Sequence, residues 1–132
     1  MKIIEKNGAV LAKHISRDDI KEGLSFFSDD AESLQVGTWV YNSGKELQAH
    51  IHNLVERRIN RTHEVLYVIS GSLEARIFDM EAQPVESFLV EQGEILMLME
   101  CGHGYKILSD DTRVIEIKNG PYPGAEADRY RI

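Results

Sequence analysis

Apolar residues in this chain come in short runs with a period near two, broken every few positions by glycine, asparagine or aspartate. A period of two is the signature of strands with one face turned inward. The pattern is most regular after Glu64, where it predicts strands near 64–70, 73–79, 84–90, 94–99, 104–108 and 112–118. Turn signals separate them at Gly71, Met80-Glu81-Ala82, Glu91-Gln92-Gly93, Cys101-Gly102 and Ser109-Asp110-Asp111. Upstream, KIIE and AVLAKHI read as two strands joined at Asn7-Gly8, a strong hairpin dipeptide. Ser16 can cap one helical turn that Gly23 ends, and residues 24–32 read as a loop. Strands follow over 33–42 and about 46–52, with a turn at Asn42-Ser43-Gly44. Residues 53–62 are irregular, and Pro121 and Pro123 bar the tail from a central strand, leaving it to lie across the outside.

Nine or ten short strands with almost no helix predict an all-β sandwich or barrel. EVLYVIS and EILMLM are apolar on both faces. An antiparallel sheet normally keeps one face in water, so such strands imply a second cover. The N-terminal strands, the tail or a second copy could supply it, and the shortage of spare segments favours a homodimer.

The length, 132 residues, fits one domain. No apolar run approaches the roughly 20 residues of a membrane span, and MKIIEKNGAV has no signal-peptide pattern. A single cysteine, Cys101, excludes an internal disulfide and fits a reducing cytoplasm. Fifteen basic against twenty-two acidic side chains give a net charge of −7, which argues against nucleic-acid binding and for a small-molecule partner.

The chemistry concentrates between His50 and Gly71. His50 and His52 lie two apart, so on a strand both imidazoles leave the same face. Glu64 opens the next strand and His103 follows later. Two same-face histidines, a carboxylate and a third histidine are the parts of a mononuclear metal site.

These residues resemble the motifs of a small single-domain cupin. The first family motif runs Gly, five residues, His-x-His, three or four residues, Glu, six residues, Gly. Gly44, KELQA, His50-Ile51-His52 match its start and Glu64, VLYVIS, Gly71 its end, with eleven residues between His52 and Glu64. The second runs Gly, five residues, Pro-x-Gly, two residues, His; Gly93 leads to His103 one residue short and without that proline. The resemblance covers about residues 34–118. It implies a double-stranded β-helix (jelly-roll barrel) with short N-terminal strands, and His50, His52, Glu64 and His103 as ligands of one divalent transition metal. Three imidazoles and a carboxylate suit Fe, Mn, Ni or Zn. Glu56, three residues after His52, is a rival carboxylate; Glu64 is preferred because it leads to a glycine at a hairpin.

The insert carries Arg57, Arg58 and Arg61, planar donors suited to a carboxylate or phosphate if they reach the pocket rim. His63, next to Glu64, points to the opposite face, and His14 has no partner motif. Cys101, Tyr67 and Tyr105 read as packing residues. Two functions follow from the resemblance. One is metal-assisted isomerisation or oxygen-dependent chemistry on a small polar, anionic, sugar-like or keto-acid substrate. The other is a ligand-binding sensor without turnover. A metal-free epimerase would need a His–Asp and Tyr acid–base set whose spacing is not found here.

Overall fold

The computed structural model describes residues 1–132, and the chain is all-β. Its strands are β1 (Lys2–Lys6), β2 (Ala9–Ile15), β3 (Gly23–Phe26), β4 (Gly37–Val40) and β5 (Glu64–Ser70). They continue with β6 (Ser72–Phe78), β7 (Pro84–Glu91), β8 (Ile95–Leu98), β9 (Gly102–Ile107) and β10 (Arg113–Lys118). A 3-10 turn at Arg17–Asp19 and one helical turn, α1 (Ala125–Asp128), complete the elements. Every pairing is antiparallel, in a five-stranded sheet β1-β2-β8-β5-β10, a three-stranded sheet β7-β6-β9 and a ribbon β3-β4. No helix is long and apolar enough to cross a membrane.

The two larger sheets form a β-sandwich. Leu66, Val68, Leu96 and Leu98 of the first face Leu73, Ala75, Ile77 and Val90 of the second, and all are buried. Strand alternation places these residues on one side of each strand. The chain passes from one sheet to the other at Gly71, at Gln92-Gly93, at Glu100-Cys101 and between β9 and β10. Gly71 therefore marks a corner between sheets rather than a hairpin. Its backbone has φ +77°, and a Cβ there would stand 2.4 Å from Thr112 Oγ1, so only glycine turns this corner without displacement. The Asn7-Gly8 hairpin is present, with φ 54° and 79° as a primed turn requires.

The five-stranded sheet also has a second apolar face. Ile15, Val65, Met97 and Met99 are buried there under Phe27, Leu34 and Val36. The segment between β3 and β4 thus acts as a lid. Lys13 pins it, donating to the Phe27 carbonyl at 3.0 Å and to Glu32 at 2.7 Å. The same strands leave Tyr67, Ile69, Ile115 and Ile117 about half exposed farther along this face.

Three expectations are corrected. Residues 24–32 are not wholly loop, since Gly23–Phe26 pairs with Gly37–Val40. The strand over 33–42 shrinks to Gly37–Val40, because Leu34 and Val36 are spent covering the sheet. No strand forms over 46–52: residues 41–63 carry none, and every residue from 41 to 61 is exposed. Alternation of Leu47, Ala49 and Ile51 with polar residues sets which side chains share a face. It does not provide a neighbouring strand, and an unpaired strand has no ladder to hold it.

Candidate functional site

Glu64 and His103 lie far apart in sequence, and register brings them together. Glu64 sits opposite Leu98 of β8 on one side and opposite Lys118 of β10 on the other. The chain leaves β8 at Leu98, crosses to the second sheet through Met99-Glu100-Cys101, and enters β9 with His103 near its start. His103 Nε2 then lies 3.2 Å from Glu64 Oε2, while Lys118 Nζ lies 2.8 Å from Glu64 Oε1 and 3.0 Å from Glu116 Oε1.

These residues line a cavity of about 500 Å³, open at one end of the sandwich. Cys101 and Tyr105 complete its inner wall; Arg61, Thr62 and the tail from Asp128 to Ile132 form its mouth. The tail is held there by the Thr62 hydroxyl, which donates to Asp128, and by Ile132 against Gly102. Asn119 joins it, accepting from the His63 amide and donating to the Arg61 carbonyl.

The electrostatics follow from burial and pairing. Burial works to raise the Glu64 carboxyl, but contacts with His103 and Lys118 outweigh it and hold it at about 2. Burial works to lower Lys118, and the Glu64 and Glu116 carboxylates outweigh that in turn. The site therefore holds a fixed carboxylate and a fixed ammonium. Burial pushes the Cys101 thiol up to about 12, with the Glu64 charge adding to it, so the thiol is a packing group. Tyr105 is raised by burial and by the same carboxylate, and stays a neutral phenol. Its hydroxyl and the Nδ1 of His103 are enclosed with no hydrogen-bond partner. Both can meet a ligand's polar atoms.

The other sequence candidates are placed elsewhere. His50 and His52 stand on the exposed 41–61 stretch with their rings 4.9 Å apart, and His50 Nδ1 is 3.2 Å from the Gln48 carbonyl. No three His, Cys, Asp or Glu side chains converge on a common point in the molecule. Glu56 is exposed and paired with Arg58 at 3.0 Å, so Glu64 is the carboxylate that stands beside His103. Of the three arginines only Arg61 reaches the cavity. His63 accepts or shares a proton with Ser33 at 2.8 Å, and His14 pairs with Glu94 at 2.8 Å while stacking on Phe88. Neither lines the cavity.

Sequence reasoning missed Lys118, Glu116 and the tail. The motif RVIEIK invites the opposite orientation, with Ile115 and Ile117 inward. Pairing with β5 reverses this, setting Glu116 and Lys118 beside Leu66 and Glu64 and leaving the isoleucines outside. No protein-family model matches the chain, and no solved structure matches it.

Proposed function

We propose that this chain is a metal-binding protein of the cupin type, acting on a small polar, anionic substrate by metal-assisted isomerisation or oxygen-dependent chemistry. The observation that carries this is the Glu64–His103 pair, held 3.2 Å apart on the wall of a cavity of small-molecule size. A divalent transition metal (Fe, Mn, Ni or Zn) would be held by His50, His52, Glu64 and His103. Half of that donor set stands together, His103 Nε2 and Glu64 Oε2 being 3.2 Å apart, a spacing that suits two neighbouring ligands each about 2.1 Å from one ion. The other half lies on the unpaired segment, and β9 has a free edge, with β6 as its only neighbour. Residues 46–52 laid along that edge would bring His50 and His52 to the His103 side, and metal binding coupled to such folding is ordinary for small sites. When bound, the metal would supply Lewis acidity toward a carbonyl or enolate. Lys118 keeps Glu64 ionised, and the Tyr105 hydroxyl can donate to a substrate oxygen.

A homodimer belongs to the same proposal. Tyr67, Ile69, Ile115 and Ile117 on the sheet, with Leu24, Phe26 and Trp39 on the ribbon, remain about half exposed. At on the order of 100 Å² each they offer about 700 Å² per copy, close to the roughly 800 Å² a side of a standard interface. β10 adds a free edge at the border of this face.

One observation favours a second reading. The Lys118 ammonium already occupies a Glu64 oxygen at 2.8 Å, where a metal would compete with it. A metal-free site would then use His103, oriented by Glu64, as general base, or bind its ligand as a sensor without turnover. Elemental analysis of protein purified without chelators separates these. The metal proposal expects near-stoichiometric transition metal, lost in His50→Ala and His103→Ala and retained in His63→Ala. Metal-free protein, or metal retained in both His50→Ala and His103→Ala, would sink it. Turnover that survives chelator would point to the His103 base.

A further inference from the structure

Carboxylates and cations around the cavity balance in number, but the pairing among them is one-sided. Four carboxylates line it, and each is engaged: Glu64 with His103 and Lys118, Glu116 with Lys118, Asp79 with Lys6, and Asp128 with Thr62. Lys118 is consumed by that pairing. Three arginines also line the cavity, and none of them pairs with these four carboxylates. Arg129 and Arg131 make no ion pair in the molecule, and Arg61 is held only loosely, 3.9 Å from Glu100 and donating to the Met80 sulfur at 3.1 Å. In a chain of net charge −7, two unpaired guanidinium groups and a third loosely held one at the same opening need an explanation.

The backbone explains why two of them are neighbours. Thr62 donates to Asp128, and the residues on either side of that bond are Arg61 and Arg129. Asn119 fixes the Arg61 end by accepting from the His63 amide and donating to the Arg61 carbonyl. Ile132, seated against Gly102, anchors the far end of the tail, with Arg131 beside it. The tie thus sets arginines from two remote segments at one mouth, above a wall that carries two unpartnered polar atoms, His103 Nδ1 and the Tyr105 hydroxyl.

We propose that Arg61, Arg129 and Arg131 form an anion clamp over the cavity, making the C-terminal tail part of the binding site, and that its ligand is a small molecule bearing a phosphate or carboxylate group. A planar guanidinium matches either oxyanion with two parallel donors. The clamp takes the charged group at the mouth, and the ligand's remaining polar atoms reach His103 and Tyr105. This builds on the proposed function in using the same cavity, but it needs no metal. It also moves anion recognition from the cluster of Arg57, Arg58 and Arg61 to one residue of that cluster and two of the tail.

The test is titration of the full-length, metal-free protein with inorganic phosphate and, separately, with oxalate, at constant ionic strength, followed by amide chemical shifts. Saturable binding of either anion is expected, and the tighter of the two identifies the anionic group of the substrate. Arg61→Ala or Arg129→Ala should weaken it about tenfold or more, the size of one charge-assisted hydrogen bond. Arg113→Ala, which makes the same charge change at the far end of β10, should leave it unaltered. An equal loss in Arg113→Ala, or no saturable binding of either anion, overturns the clamp. Metal content measured on the same variants keeps the two proposals apart. Arg129→Ala should lose anion and keep metal, whereas His103→Ala should lose metal and keep anion affinity within a few fold.

Discussion

Removing the ammonium of Lys13 should cost this protein far more than removing the whole ion pair it belongs to. Lys13 is almost fully buried on the second apolar face of the five-stranded sheet, with Glu32 as its close partner at 2.7 Å and the Phe27 carbonyl at 3.0 Å. Asp29 stands farther off at 3.7 Å and is exposed. In Lys13→Met the Glu32 carboxylate stays in place without its cation, and its Oε2 already has no hydrogen-bond partner. The loop cannot easily swing it out, because Gln35 donates to the Asp29 and Glu32 carbonyls and Ser33 is tied to His63. Breaking a buried pair from one side costs about 3–5 kcal/mol. That is a large part of the roughly 5–15 kcal/mol that holds a domain folded. With an m-value of ~2 kcal/mol/M, the urea midpoint should fall by about 2 M. In the double variant Lys13→Met with Glu32→Leu no charge is left uncompensated, and stability should return to within about 1 kcal/mol of wild type. Urea unfolding followed by tryptophan fluorescence measures both. A fragmentation assay should show residues 27–36 cut first in the single variant, exposing Met97 and Val65 beneath. A single variant within 1 kcal/mol of wild type, or a double variant no better than the single, would refute this account of the lid.

Three further outcomes are expected. Gly8 and Gly71 share a positive φ, but a Cβ meets nothing at Gly8 and lies 2.8 Å from the Thr112 Cα at Gly71. Gly8→Ala should therefore cost about 1 kcal/mol of backbone strain and Gly71→Ala at least about twice that by thermal melting, and equal costs would disprove the crowded corner. Ile117→Glu puts a charge on the exposed face of β10, so sedimentation at micromolar concentration should show a monomer where wild type is a dimer; a wild-type monomer ends the dimer proposal. The Lys6 ammonium, aided by the Gln83 amide, holds the Asp79 carboxyl below its ordinary range against burial. The unfolded chain therefore binds the proton first as pH falls, so this contribution is present above the ordinary aspartate range and lost below it. Asp79→Asn should flatten that part of the acid-unfolding curve, and superimposable acid limbs would contradict the pairing.

Local information settled much of this chain before any tertiary contact. Period-two alternation and turn residues placed the strands from Glu64 onward to within a residue or two, because both signals act within a few positions along the backbone. The Asn7-Gly8 hairpin and the Ser16 turn were legible for the same reason. So was the pairing of Glu64 with His103 as chemical candidates, although not the register that makes them touch.

What the tertiary structure decided was which strands neighbour which, and therefore which faces look inward. In RVIEIK, Ile115 and Ile117 share one face and Glu116 and Lys118 the other, and only antiparallel pairing with β5 turned Glu116 and Lys118 to the cavity and Ile115 and Ile117 to the outside. AHIH has the alternation of a strand, yet it stays unpaired because strand formation needs a partner edge, which no local pattern contains. The tail reads as a proline-broken surface segment. Its role at the cavity rests on Thr62 meeting Asp128 and Ile132 meeting Gly102, contacts that span more than the reach of any sequence period. Alternation is a property of one strand. A binding site is a property of how several of them meet.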